Sequence, residues 1–110
     1  MTVRIATWVT LALAPCIVGA AASDRTGPKT HTVTIEGIRF QPPMLTVSRG
    51  DTIVWVNMDP VPHTATSKAG GFDSKTIQTD ESWTYTADTK GEFAYICVFH
   101  PAMKATLRVE

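Results

Sequence analysis

The sequence predicts a small all-β domain, a β-sandwich or small barrel, and three observations carry that prediction. From His31 to Val109 apolar residues recur with period two, and no stretch sustains a 3.6-residue apolar stripe. Turn-forming residues interrupt the alternation at short intervals: Gly37, Pro42-Pro43, Arg49-Gly50-Asp51, Asp59-Pro60, Gly70-Gly71 and residues 88–91. The chain is 110 residues long, without internal repeats or a dividing linker, which suits one domain.

Taken in order, Val33 and Ile35 alternate with Thr32, Thr34 and Glu36. Leu45 and Val47 alternate with Thr46 and Ser48, and Trp83 and Tyr85 with Ser82, Thr84 and Thr86. Each run reads as a strand with one apolar face. Residues 52–56 and 93–98 are apolar on both sides and are expected inside the sandwich. Residues 103–109 alternate again, with Met103, Ala105, Leu107 and Val109 facing inward. Helix is expected to be no more than a turn or two within residues 67–79.

The N-terminus has a different character. Arg4 precedes an apolar run at residues 5–14, Pro15 and Gly19 break it, and Ala20-Ala21-Ala22 supplies small residues for a peptidase. Residues 1–22 therefore read as a cleavable signal peptide and residues 23–30 as a flexible lead-in, with the folded domain at 31–110. The exported protein is expected in the periplasm, as a monomer with no membrane attachment after cleavage. Ten Lys and Arg balance ten Asp and Glu, and loss of Arg4 shifts the formal net charge from 0 only to −1. No basic patch marks a nucleic-acid partner, and strong electrostatic steering is not expected.

Cleavage also removes Cys16, leaving Cys97 as the one thiol of an exported chain, so no internal disulfide can form. A free thiol in an oxidising compartment must be buried, paired with another chain or capped by a metal. The surroundings of Cys97 favour the metal. In Cys97-Val98-Phe99-His100-Pro101-Ala102-Met103 a thiol, an imidazole and a thioether recur at three-residue intervals on the turn between two expected strands. Strand parity points both sulfurs inward at one end of the sheet. A second imidazole is available from His63, in a loop stiffened by Pro60 and Pro62.

One thiolate, two imidazoles and one thioether suit copper, because sulfur favours Cu(I), imidazole serves both oxidation states and a weak axial Met completes a blue-copper set. Structural zinc sites rarely recruit Met, and iron–sulfur clusters need more Cys. His31 has no sulfur nearby in sequence and is expected to be solvated. Met44 and Met58 are expected to pack in the core or at its rim.

At this point the chain resembles the cupredoxin (type 1 blue copper) family. The resemblance runs from Val33 to Val109, through residues 37–40, 45–57, Val61-Pro62-His63 and 91–103. Among amicyanin- and plastocyanin-type proteins, which the chain resembles most, the short Cys-X-X-His-X-X-Met loop is most similar to the amicyanin type, since plastocyanin-like loops have more residues before the Met. The resemblance implies a Greek-key β-sandwich with one type 1 copper ligated by His63, Cys97, His100 and axial Met103. It implies a single-electron carrier rather than an enzyme, the alternative being a periplasmic copper-trafficking module with no carrier role. Redox partners are expected to dock transiently at His100 and the apolar residues Val61, Pro62, Pro101 and Ala102.

Two positions depart from the family's usual pattern. Thr64 follows the first ligand His, where Asn commonly pins the two ligand loops together. Phe99 stands where Pro is common, two residues after the Cys, and restores an N–H expected to reach the Cys97 sulfur.

Overall fold

The computed structural model describes residues 27–110 together with Thr10 and Ala12. The expected signal peptide at 1–22, apart from those two positions, and residues 23–26 lie outside the described residues. Among the described residues no helix is long and apolar enough to cross a membrane.

Among the described residues nine strands form: β1 (Thr30–Ile35), β2 (Phe40–Gln41), β3 (Met44–Val47), β4 (Thr52–Asn57), β5 (Thr66–Ser67), β6 (Phe72–Asp73), β7 (Ser82–Thr86), β8 (Gly91–Cys97) and β9 (His100–Val109). They make two sheets, ordered β2-β1-β4-β7 and β3-β9-β8-β5-β6. The pairings β1/β4 and β3/β9 are parallel and the rest antiparallel. Strands adjacent in space but distant in sequence are the signature of Greek-key winding, in which long connections cross between sheets.

The core lies between the sheets. Val33, Ile35, Ile53 and Trp55 from one sheet meet Tyr95, Leu107 and Val109 from the other, with Phe40 and Phe72 between. Trp55 makes an edge contact with Tyr95 at 5.5 Å between ring centroids, and Phe40 another with Tyr95 at 4.7 Å, geometries that aromatic quadrupoles favour. Met103, Ala105, Leu107 and Val109 are buried on the inner face of β9, as their spacing predicts.

Several expectations need correction. β4 and β8 are apolar on both sides but bury only one: Ile53, Trp55 and Asn57 are buried on β4, while Thr52, Val54 and Val56 are half-buried. With two layers only the facing side of each sheet is enclosed. No helix occurs within residues 67–79; the segment contributes to β5, supplies β6 and then runs as a loop. Met44 and Met58 are both exposed, in keeping with the rim rather than the core of the two positions expected for them.

His31 is not solvated but half-buried, with Nε2 2.8 Å from Asp51 Oδ2. Asp51 also accepts from Lys29 N at 2.9 Å and Ser48 N at 3.0 Å, and Thr52 N donates to Lys29 O at 2.9 Å. One carboxylate thus aligns the start of β1 with the start of β4. These donors, the Lys29 amide first and the His31 ring next, hold the Asp51 carboxyl at about 2, below its ordinary 3.8. A depressed carboxyl pKa adds stability that is present above the unfolded value and lost as pH falls through the folded one. Asp51→Asn is therefore expected to lower the thermal midpoint at neutral pH. It should also shrink the loss of stability between about pH 4 and pH 2, read by denaturation at stepped pH.

Candidate metal centre

Two connections at one end of the sandwich carry the residues singled out in the sequence. The first leaves β4 through Asn57, whose buried side chain donates to the carbonyls of Val61 and Ile77, each at 2.9 Å, and accepts from Asp59 N at 2.9 Å. Pro60 and Pro62 fix φ within the loop so braced. His63 then exchanges backbone hydrogen bonds with Ile77, at 3.1 Å and 2.8 Å. Its ring is fully buried.

The second connection is the hairpin between β8 and β9, where Cys97 pairs with His100 and Ile96 with Lys104. Pro101, Ala102 and Met103 therefore form a bulge with no partner on β8, and Pro101 has no N–H to offer one. The bulge returns Met103 to the inner face, where it is buried alongside fully buried Cys97 in the core cluster. His100, at the turn, is half-buried.

Three donors converge. Cys97 Sγ lies 3.6 Å from His63 Nδ1 and 3.9 Å from His100 Nδ1, and the three ligand atoms fall within 4.8 Å of one another. The two imidazoles are 5.1 Å apart between centroids, inclined at 51°. First-row metal bonds of about 2.3 Å to sulfur and about 2.0 Å to nitrogen, at trigonal angles, separate sulfur from nitrogen by about 3.7 Å. The donor set and its spacing fit one ion. A single thiolate with two imidazoles, and a Met buried on the strand that begins at His100, suits copper better than zinc.

Thr64 has two roles that its sequence position left open. Its N–H donates to Cys97 Sγ at 3.3 Å, and its Oγ1 accepts from Val98 N at 3.0 Å. The side chain does what Asn commonly does there, joining the His63 loop to the Cys97 hairpin. Phe99 needs correction: among the described residues the backbone donor to the sulfur is Thr64, and half-exposed Phe99 belongs to the apolar rim.

Sequence reasoning also missed Asp59, which read only as a turn former. Its side chain is buried, with Oδ2 2.8 Å from His63 Nε2, and it accepts from Gly37 N at 2.7 Å and Ile38 N at 2.9 Å. Burial pushes its pKa up, but the Ile38 and Gly37 amides and the His63 ring outweigh that and hold it below the ordinary value. An acidic residue four positions before a candidate ligand His was the available signal.

The family model for the cupredoxin-like domain matches residues 5–109. The chain belongs to the cupredoxin-like family. Within the family it is 30% identical over 83 residues to amicyanin of Paracoccus versutus, which covers 71% of this chain and 63% of that protein. It is 28% identical over 105 residues to amicyanin-alpha of Methylorubrum extorquens, covering 90% and 88% respectively. A solved Cu(I) structure of an amicyanin mutant superposes with a TM-score of 0.68 at 26% identity, covering 83% of this chain and 90% of that one.

Removing the Thr64 hydroxyl leaves the Val98 N–H without its acceptor. Thr64→Val is expected to destabilise the metal-free protein by about 1–3 kcal/mol while Thr64→Ser retains most of the stability. Urea denaturation at unchanged m-value reads the difference.

Proposed function

We propose that this cupredoxin is a small exported electron carrier holding one type 1 copper through His63, Cys97 and His100, with Met103 as the weak axial ligand. The observation that carries the reading is the convergence of one thiolate and two imidazole nitrogens within 4.8 Å at the end of the sandwich. Bound there, copper supplies a one-electron couple between Cu(I) and Cu(II).

The chain's own residues supply rigidity, access and enclosure. His63 is held through its backbone by Ile77, and Cys97 through its sulfur by Thr64. Donors fixed in this way have little room to rearrange between oxidation states, which keeps reorganisation small. Cys97 and His63 are fully buried, so water does not compete for the thiolate. This enclosure supports a carrier over a trafficking module, which needs exchangeable, exposed sulfur ligands.

His100 is half-buried, whereas Val61, Pro62, Phe99, Pro101 and Ala102 are exposed. Such an apolar rim suits brief docking of a redox partner, in encounters that bury less than about 1,200 Å². The reading is of a carrier and not an enzyme, acting in the periplasm as a monomer; the N-terminal sequence pattern supports export.

The absorption spectrum of the Cu(II)-loaded protein tests the reading. An intense blue thiolate-to-copper band is expected, and its absence would remove the carrier assignment. Cys97→Ser should abolish the band, and Met103→Leu should keep copper and colour while raising the reduction potential, because the thiolate is the strong ligand and the thioether the weak one. His31→Ala, remote from the site, should leave the spectrum unchanged.

A further inference from the structure

We infer that Asp59 is a positioning residue for the metal centre: seated in the backbone turn at Gly37 and Ile38, its carboxylate fixes the His63 ring and makes it a stronger donor. The inference rests on the copper reading above and adds a residue to it.

An ionised carboxylate only accepts hydrogen bonds, so the contact from Asp59 Oδ2 to His63 Nε2 at 2.8 Å requires Nε2 to carry the proton. In the neutral ring, that places the lone pair on Nδ1, the atom facing Cys97 Sγ at 3.6 Å. The ligating tautomer is set before any ion arrives.

Asp59 is itself held on every side. Gly37 and Ile38 both have left-handed backbones, with φ of 66° and 56°, and their consecutive N–H groups form a concave anion seat. Ile38 is β-branched and strongly disfavours that conformation. Two hydrogen bonds to a charged acceptor, 2.7 Å from Gly37 N and 2.9 Å from Ile38 N, offset the strain. Asp59 N donates to Asn57 Oδ1 at 2.9 Å, and its carbonyl accepts from Thr79 Oγ1 at 2.8 Å. The turn between β1 and β2 thereby braces a ligand on the connection between β4 and β5.

A buried anion behind the imidazole increases the ring's electron donation and favours the more highly charged Cu(II). Asp59→Asn keeps an oxygen that can accept but removes the charge. It is expected to weaken copper affinity by about 10–100-fold and to raise the reduction potential, with the blue band retained.

The test combines voltammetry of wild type and Asp59→Asn with proton–nitrogen correlation NMR of the metal-free wild-type chain. The NMR is expected to show His63 protonated at Nε2. If Asp59 only held the turn, Asp59→Asn would lower stability and leave the potential unchanged, and that result would overturn the inference. A His63 protonated at Nδ1 in the metal-free wild type would overturn it equally, and needs no variant to fold. A wild-type protein without a blue band would instead refute the copper reading and the electronic part of the inference, while the tautomer still tests the positioning part.

Discussion

Thr64 spans the two connections that carry the candidate ligands. Its N–H reaches the Cys97 sulfur at 3.3 Å and its hydroxyl takes the Val98 N–H at 3.0 Å. His63 and Cys97 are 34 residues apart, so their convergence costs chain entropy that local geometry cannot recover. The residue adjoining one ligand bonds both the sulfur and the amide that follows it. Once these bonds form, His63 Nδ1, Cys97 Sγ and His100 Nδ1 lie on one centre. Asn57, Asp59 and the backbone exchange with Ile77 then limit how far the His63 loop can depart.

The sandwich supplies a firm base for that end. β8 and β9 pair over most of their length, and their inner faces fill the core with Tyr95, Cys97, Met103, Ala105, Leu107 and Val109. Both sulfurs thus belong to strands whose neighbouring side chains are fixed by packing. A domain this small buries a modest share of its surface, so binding an ion adds stability by mass action to a fold with little to spare. The bulge at Pro101–Met103 reconciles two demands, a tight hairpin pairing Cys97 with His100 and an inward Met103.

The sequence was legible where the information was local. Alternation in β1, β3, β7 and β9 and the apolar runs at β4 and β8 revealed the longer strands, and the even spacing of Cys97, His100 and Met103 revealed the hairpin that carries candidate ligands. The two-residue strands β2, β5 and β6 were not legible, because two residues carry no period. Nor was the one-sided burial of β4 and β8, which depends on the number of layers rather than on the strand's own residues. Asp59 escaped because its donors at Gly37 and Ile38 lie more than twenty residues away. The same holds for His31, whose partner Asp51 is reached only once β1 lies beside β4. Thr64 was noticed as a departure from the family, yet that its hydroxyl could replace an amide depended on where Val98 came to lie.

On the proposed reading, the protein presents a preformed site for one copper ion. A crystal structure of the copper-loaded protein, compared with the metal-free form, tests it most directly. The account predicts one ion bound by His63 Nδ1, Cys97 Sγ and His100 Nδ1, with the Met103 thioether at a longer distance. His63 and Cys97 should keep their rotamers between the two forms. An ion bound elsewhere, or bound only after His63 leaves Asp59 and rotates, would contradict the account.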